Sequence, residues 1–393
     1  MEQSQNLIKK LSQFGDGFKH HHENYESVSI DEIRKKGGVW PVGKLTFHFP
    51  EHFGFCYGVD KAIDMVFETC VRFPDRRIFL TDQLIHNPFI NKKLQEKGVQ
   101  YIKRDDKHLL MCEELKPEDI VVVSAFGTDF RDIEALRQKS VTIVDSTCGA
   151  IINVWKRVEY YAKNGFVTVV HGRRNHEETR ATVSQALKEG GVYIIIENFK
   201  EAEDLAAVIR GSVTDADFKS RYAHAVSDNF VFKSADWKMG MANQTTMLKN
   251  ESLEIQELLK KAFSGRFGEA EVVNRFRSFD TICGATQDRQ DALRELLKKP
   301  LDLLLIVGGF NSSNTSHLAE IAWGKLPVFH IRDCEDIFSK IKIQFRNPIN
   351  GETQTTDNWF PSNAQNIGIT SGASTPDMTL LAIIEKVANF THV

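Results

Sequence analysis

From about residue 45 onward the chain repeats one phrase: a continuously apolar, β-branched run, a Gly-rich or small polar turn, then a stretch with apolar residues at helical spacing. The runs are "RRIFLTD", "DIVVVSAFG", "VTIVDSTC", "FVTVVHG", "VYIII", "LDLLLIVGG", "LPVFHI" and "NIGITSG". Most are apolar throughout rather than alternating, which predicts strands buried on both faces. The helical stretches between them predict βαβ units and mostly parallel sheets. The expected fold is α/β, in several small domains rather than one large sheet: 45–147, 148–282 and 283–393. Residues 1–44 are polar without a sustained apolar period and are expected as an extension outside the main core. Residues 211–241, weakly periodic and rich in polar side chains, are expected as a long excursion between elements.

Composition narrows the partners. Of 393 residues, 41% are hydrophobic and 26% charged, as in an ordinary globular protein. Fifty basic against 53 acidic side chains give a net charge of -3, so no broad attraction to nucleic acid or anionic membrane is expected and an anionic ligand must be caught locally. No apolar run approaches the roughly 18 residues that span a bilayer, and the N-terminus lacks the charged-then-apolar pattern of a secretory signal. A cytoplasmic protein is expected. Acidic residues in the extension (Asp16, Glu23, Glu26, Asp31, Glu32) argue against an organelle transit peptide. The triplet His20–His22 could bind a metal, but a solvated tail is the plainer reading.

Candidate chemistry sits at strand ends. "DSTCGA" at Asp145–Ala150 returns as "DTICGA" at Asp280–Ala285, each time before a stretch that reads as a helix ("IINVWKRVEYYAKNG" and "TQDRQDALRELLKK"). Cys148 and Cys283 therefore lie near helix N-termini, where the dipole and backbone N–H groups favour thiolate, the form that binds metal. Cys56, in "HFGFCYGVDKAIDMVFETC", has flanking glycines and the same helical continuation. Three thiolates without a local C-x-x-C partner point to an iron–sulfur cluster or a zinc ion, and three ligands leave a metal position open for chemistry on a substrate. The bland alternative is buried structural cysteine. Cys70 has core-facing spacing, and Cys112 and Cys334 lack flanking glycines, so these three are expected to be non-ligands.

Other strand ends carry short polar groups. "VGGFNSSNTSHLAE" runs from a strand through two glycines into Asn311, Ser312, Ser313, Asn314 and Thr315, and "GASTPD" places Ser374 and Thr375 before Pro376. Such hydroxyls and amides at helix starts suit phosphate oxygens; simple N-capping is the alternative. His86 in "IHNPFI" and His176 in "RNHEET" occupy strand-to-helix turns, with Glu177 or Glu178 as a proton carrier and Thr245 and Thr246 in another polar turn, "NQTT". In open α/β sheets ligands bind beyond the carboxyl ends of strands, so these groups read as one pocket. Neither a Walker A nor a G-x-G-x-x-G pattern is present, which argues against a P-loop enzyme or a dinucleotide dehydrogenase.

Taken together, "GFCYGVDKAI", "IHNPFI", "DSTCGA", "NHEET", "NQTT", "DTICGATQDRQ", "NSSNT" and "GASTPD", in this order from about Gly54 to Val387, resemble the 4-hydroxy-3-methylbut-2-enyl diphosphate reductase family, in its plant and cyanobacterial branch. The resemblance implies a trefoil of three similar α/β domains around a central 4Fe-4S cluster held by Cys56, Cys148 and Cys283. It implies reductive dehydroxylation of an allylic diphosphate to isopentenyl and dimethylallyl diphosphates, the last step of the non-mevalonate isoprenoid pathway. By motif position His86, His176, Ser312, Asn314 and Ser374 would hold the diphosphate, with Ser313 as a further contact. Glu178 would deliver the proton and Thr245 would hold the hydroxyl end. Because no flavin or nicotinamide motif is visible, electrons would come from a ferredoxin or flavodoxin.

Three features depart from many bacterial members: Phe126 in "SAFG" stands where those have His, and the 1–44 extension and the 211–241 excursion have no counterpart in the compact form. Competing readings are a hydro-lyase that turns over without reductant, a cluster-bearing sensor of a phosphorylated metabolite, and a zinc protein. No helix-turn-helix or basic stripe is present to serve a sensor's output.

Overall fold

In the computed structural model, which describes residues 7–14, 21, 25–231 and 237–391, the eight apolar runs are all strands. Among the described residues they fall into three sheets. The first runs, edge to edge, through Leu7–Ile8, Thr142–Asp145, Ile120–Val123, Ile78–Leu80 and Gln100–Tyr101, all parallel. The second, also parallel, runs through Phe276–Ser278, Met239–Asn243, Val167–His171 and Tyr193–Ile196. The third has seven strands in the order Thr353–Asp357, Lys342–Arg346, Val328–Ile331, Leu303–Val307, Asn366–Ser371, Leu45–His48 and Val39–Val42. Its centre is parallel and each edge is an antiparallel pair. The central strands are buried along their whole length, as unbroken apolar runs require.

The chain forms two compact units. Met1–Lys9, Arg76–Asp82 and Gln100–Cys283 carry the first two sheets, and Lys10–Asp75, Gln83–Val99 and Gly284–Val393 carry the third. One consequence corrects the sequence reading: the strand Leu45–His48, expected to open the first domain, pairs with Asn366–Gly368 in the third sheet. An apolar run reveals a strand, but its neighbour is chosen by distant residues.

The extension also differs from expectation. Helix Val28–Lys35 buries Ile30 and Ile33 completely, against a core that includes Phe47, Phe49, Phe53 and Ile383. Leu7–Ile8 adds an edge strand beside Ile143–Val144. These pieces are too short to establish a hydrophobic period, so their burial is invisible in the pattern. His21 is no solvated residue either: its backbone N–H donates to Asp64 and its ring bonds Glu68, while His20 and His22 lie outside the described residues.

The 211–241 stretch is likewise built into a core. Helix Asp215–Tyr222 presents Phe218 and Tyr222, which pack with Ala225 and Trp237 against Val169, Ile194 and Met239. The carbonyl of Ala225 accepts the N–H of Ile195 at 2.7 Å, and strand Met239–Asn243 begins inside the range. Aromatic anchors at irregular spacing hold this segment. Among the described residues no helix is long and apolar enough to cross a membrane.

If the extension is part of the fold, Ile33→Ala should lower the unfolding free energy by about 2–5 kcal/mol, the range for deleting a buried aliphatic side chain. Urea unfolding measures it; a loss below about 1 kcal/mol would mean that the helix is only loosely docked.

Candidate active site

In the first unit the predicted residues form one chain of contacts. Strand Thr142–Asp145 ends at a turn in which Asp145 accepts the N–H and hydroxyl of Thr147, and Cys148 follows as N-cap of helix Gly149–Lys163. The Cys148 N–H donates to Ala125 O at 3.0 Å, fixing the cysteine beside the "SAFG" turn. That turn needs its glycine: Gly127 has φ +80° and the Trp155 indole lies against its α-carbon. The next ring, Phe126, meets the imidazole of His176 edge-on, with centroids 5.5 Å apart. His176 is the N-cap of helix Glu177–Lys188, and its Nδ1 accepts the N–H of Glu178 at 3.1 Å. With Nδ1 as acceptor, a neutral His176 carries its proton on Nε2.

The two adjacent glutamates are now distinguishable. Glu177 is partly exposed, whereas Glu178 is 1% exposed, with Oε1 accepting the Thr245 N–H at 2.6 Å and Oε2 the Thr245 hydroxyl at 3.0 Å. Burial pushes its pKa up, the two Thr245 bonds pull it back, and the balance is about 7. Thr245 in turn accepts the Cys283 N–H on its carbonyl at 3.1 Å. One residue thus holds the buried acid and the second copy of the cysteine motif. Gln244 braces the turn from behind: its Oε1 accepts the Arg173 N–H and the Thr179 hydroxyl.

In the second unit a parallel network surrounds Cys56, the N-cap of helix Tyr57–Arg72. The Cys56 N–H donates to Ala373 O at 3.2 Å, and the Ala373 N–H donates to Asn314 Oδ1 at 3.1 Å. Asn314 Nδ2 reaches Thr286 in the helix after Cys283, joining the "NSSNT", "GASTPD" and "CGATQDRQ" motifs. Ser312 caps helix Ser313–Ala322, accepting the Thr315 N–H, so the plain capping role is realised there. Ser313 is different: it is 2% exposed and, among the described residues, its hydroxyl has no partner. A buried orphan hydroxyl fits a ligand oxygen. Ser374 is buried and its hydroxyl donates to His86 O. Pro376 stands just before the last helix, as N-cap of Asp377–Ala388.

Two residues without an assigned role emerge here. Asn311 Nδ2 donates to His86 Nδ1 at 2.9 Å and to Gln83 Oε1 at 3.0 Å, so His86, like His176, presents Nε2–H. Arg289, 5% exposed, donates to the carbonyl of Gly54 at 2.6 Å. Asn311 was visible as a polar turn residue; the partner of Arg289 lies 235 positions away and leaves no local signal.

The six cysteines are outside disulfides. Burial raises the pKa of Cys70 (to about 11), Cys112 and Cys334, which keeps them thiols. Cys56, Cys148 and Cys283 are partly exposed, each directly before a helix. Beside the Cys283 loop, Asn243 is fully buried with both side-chain polar atoms unsatisfied, while its backbone is tied to Thr281. Sulfur donors at helix N-termini with an unpaired amide nearby fit an iron–sulfur cluster better than a closed structural zinc site.

A family model described as LytB protein matches residues 48–388. Relatives include the 4-hydroxy-3-methylbut-2-enyl diphosphate reductases of Acaryochloris marina, 39% identical over 94% of this chain and 92% of that one, and of Trichormus variabilis, 40% identical over 92% and 89%. Among solved structures, the E-1-hydroxy-2-methyl-but-2-enyl-4-diphosphate reductase from Plasmodium falciparum shares the fold, with a TM-score of 0.64 at 23% identity over 86% of each chain. A second, described as (E)-4-hydroxy-3-methyl-but-2-enyl diphosphate reductase, the terminal enzyme of the non-mevalonate pathway, has a TM-score of 0.52 at 23% identity over 87% of this chain and 99% of that one.

The raised pKa of Glu178 has a thermodynamic signature with a definite sign. Between about pH 4.5 and 7 the unfolded chain releases a proton that the folded chain retains, so this group's contribution to stability is lost as pH rises through that window. The unfolding free-energy difference between the natural protein and Glu178→Gln should shift by about 3 kcal/mol across it and be flat above. Denaturant titrations at several pH values measure the difference; no slope would mean an ordinary carboxylate.

Proposed function

Since the chain belongs to the LytB protein family, we propose that it is a 4-hydroxy-3-methylbut-2-enyl diphosphate reductase. The reaction takes the allylic alcohol, two electrons and two protons to isopentenyl or dimethylallyl diphosphate plus water. Cys56, Cys148 and Cys283 would be the thiolate ligands of a 4Fe-4S cluster. When bound, that cluster supplies a Lewis-acidic iron and one-electron chemistry.

The observation that carries the proposal is the Glu178 carboxyl, buried, bonded by Thr245 and poised near pH 7. An acid with a pKa near the working pH is protonated often enough to give its proton and is not too weak to part with it. Glu178 delivers the proton that lets the hydroxyl leave as water, and Thr245 holds the hydroxyl end of the substrate. His86 and His176 donate from Nε2 to the diphosphate, with Ser312, Ser313, Asn314 and Ser374. What supports this is the shared tautomer of the two histidines and the unpartnered Ser313 hydroxyl. Neutral donors of this kind bind a diphosphate without a basic patch, in keeping with the net charge of -3. Electrons arrive from a ferredoxin or flavodoxin, and the protein works in the cytoplasm, where thiols stay reduced.

Anaerobically purified protein should contain iron and sulfide and convert the hydroxylated allylic diphosphate only when a one-electron reductant is present. Turnover without reductant would replace the proposal by a hydro-lyase, and a brown protein inert toward this substrate would replace it by a sensor. Glu178→Gln should keep cluster and substrate binding while losing turnover by roughly 10²–10⁴, the range for a lost general acid. In the unmutated enzyme kcat should fall as pH rises through about 7, where Glu178 ionises. Cys56→Ser, Cys148→Ser and Cys283→Ser should each abolish the cluster, visible in the absorption spectrum, and Cys70→Ser should leave it intact.

A further inference from the structure

We propose that Tyr25 and Arg34, in the N-terminal extension, are positioning residues for the Cys56 turn; the inference rests on the reading of Cys56 as a cluster ligand. Helix Tyr57–Arg72 carries Asp60, Asp64 and Glu68 at spacings of four, hence on one face, and Asp64 and Glu68 are 1% and 2% exposed. Buried carboxylates demand donors. The extension brings them: the Tyr25 hydroxyl donates to Asp60 Oδ1 at 2.7 Å and reaches Asp64 at 3.4 Å, and His21 bonds both Asp64 and Glu68. Burial first, then the bond to Asp60, pushes the Tyr25 pKa far up, so the phenol remains a donor.

The same segment covers the residues that lead into Cys56. The Tyr25 ring packs on Phe55 with centroids 5.1 Å apart, and the Arg34 guanidinium lies over Phe53 at 4.9 Å. Arg34 also makes a two-pronged bond to Asp377, at 2.7 and 2.6 Å, on the helix that follows Ser374. That ion pair sits against Gly54: a β-carbon there would lie 2.8 Å from Arg34 Nη2 and 3.2 Å from Asp377 Oδ1. Gly54 has φ +78° and is held on its other sides by the Ser371 hydroxyl and Arg289. Finally, the Met378 N–H donates to the carbonyl of Tyr25 at 3.2 Å. Ile30 and Ile33 already bury the helix, so the Tyr25 hydroxyl and the Arg34 fork do something separate. They hold the Cys56 turn against the "GASTPD" loop, to which Cys56 is bonded through Ala373. A ligand thiolate must be held to a fraction of an ångström to be ready for its metal.

The test uses Tyr25→Phe and Arg34→Met in the full-length chain, with Lys35→Met as an exposed control on the same helix. Before cluster reconstitution, the rate of iodoacetamide labelling is followed separately at Cys56, Cys148 and Cys283 by mass spectrometry. Labelling of Cys56 should rise on the order of tenfold, the effect of losing one hydrogen bond to a charged group, while labelling of the other two stays unchanged even though the melting temperature falls, since each variant leaves a buried carboxylate short of a donor. After reconstitution the same variants should lose the visible absorption of the cluster to a chelator faster than the control. Unchanged Cys56 labelling and cluster retention overturn the proposal. So does a uniform rise at all three cysteines with a lowered melting temperature, which would make these residues structural only. Cys56→Ser separates the two levels: a cluster retained in that variant would overturn the ligand reading itself.

Discussion

A parallel strand buried on both faces leaves little room for polar side chains along its length. Polar groups are therefore displaced to where the strand stops and the next helix has not started, at the carboxyl edge of the sheet. Every residue assigned a chemical role here obeys this constraint, and the helix starts supply what the strands cannot: unpaired backbone N–H groups and a positive dipole end. Cys148 follows Thr142–Asp145, Glu178 follows Val167–His171, Thr245 follows Met239–Asn243, Ser313 follows Leu303–Val307 and Ser374 follows Asn366–Ser371. Loops in these positions need not be long or mobile. They are short turns in which one residue's backbone serves its neighbours.

This is why the chemistry was so legible and the architecture less so. A strand end followed by a helix start is a local event, and residues 145–150 or 174–179 display it within half a dozen positions. The eight apolar runs and the α/β class follow from such local patterns. Sheet membership is different. Leu45–His48 joins a sheet whose other central strands come some 250 residues later, and nothing in "KLTFHFP" encodes that. The edge hairpin formed by Lys342–Arg346 and Thr353–Asp357 also escaped notice, because its half-exposed strands lack the unbroken hydrophobicity of the buried ones. Arg289 and Asp377 read as ordinary charged helix positions until their partners, Gly54 and Arg34, are known.

The electrostatics of Glu178 illustrate a compromise that sequence cannot reveal. Burial alone would hold the carboxyl neutral and make it a poor proton donor at neutral pH; two hydrogen bonds in an exposed site would leave it ionised and empty-handed. Thr245 contributes one backbone and one side-chain donor, enough to bring a buried acid back to about 7 and no lower. A valine of the same shape would retain the backbone bond and lose the hydroxyl, raising the pKa further. Because the carbonyl of Thr245 is engaged by Cys283, the turn cannot rotate to relieve either bond without disturbing the cysteine.

Phe126 fits the same scheme. A phenyl ring has no proton to give an anion. Its edge packs against His176, whose Nδ1 is already committed to the Glu178 N–H. With one nitrogen accepting and one face covered by an aromatic edge, the imidazole is held in one orientation and one tautomer. On the opposite flank of Phe126, Ala125 accepts the Cys148 N–H. Phe126 therefore stiffens the turn that joins a cysteine to a histidine.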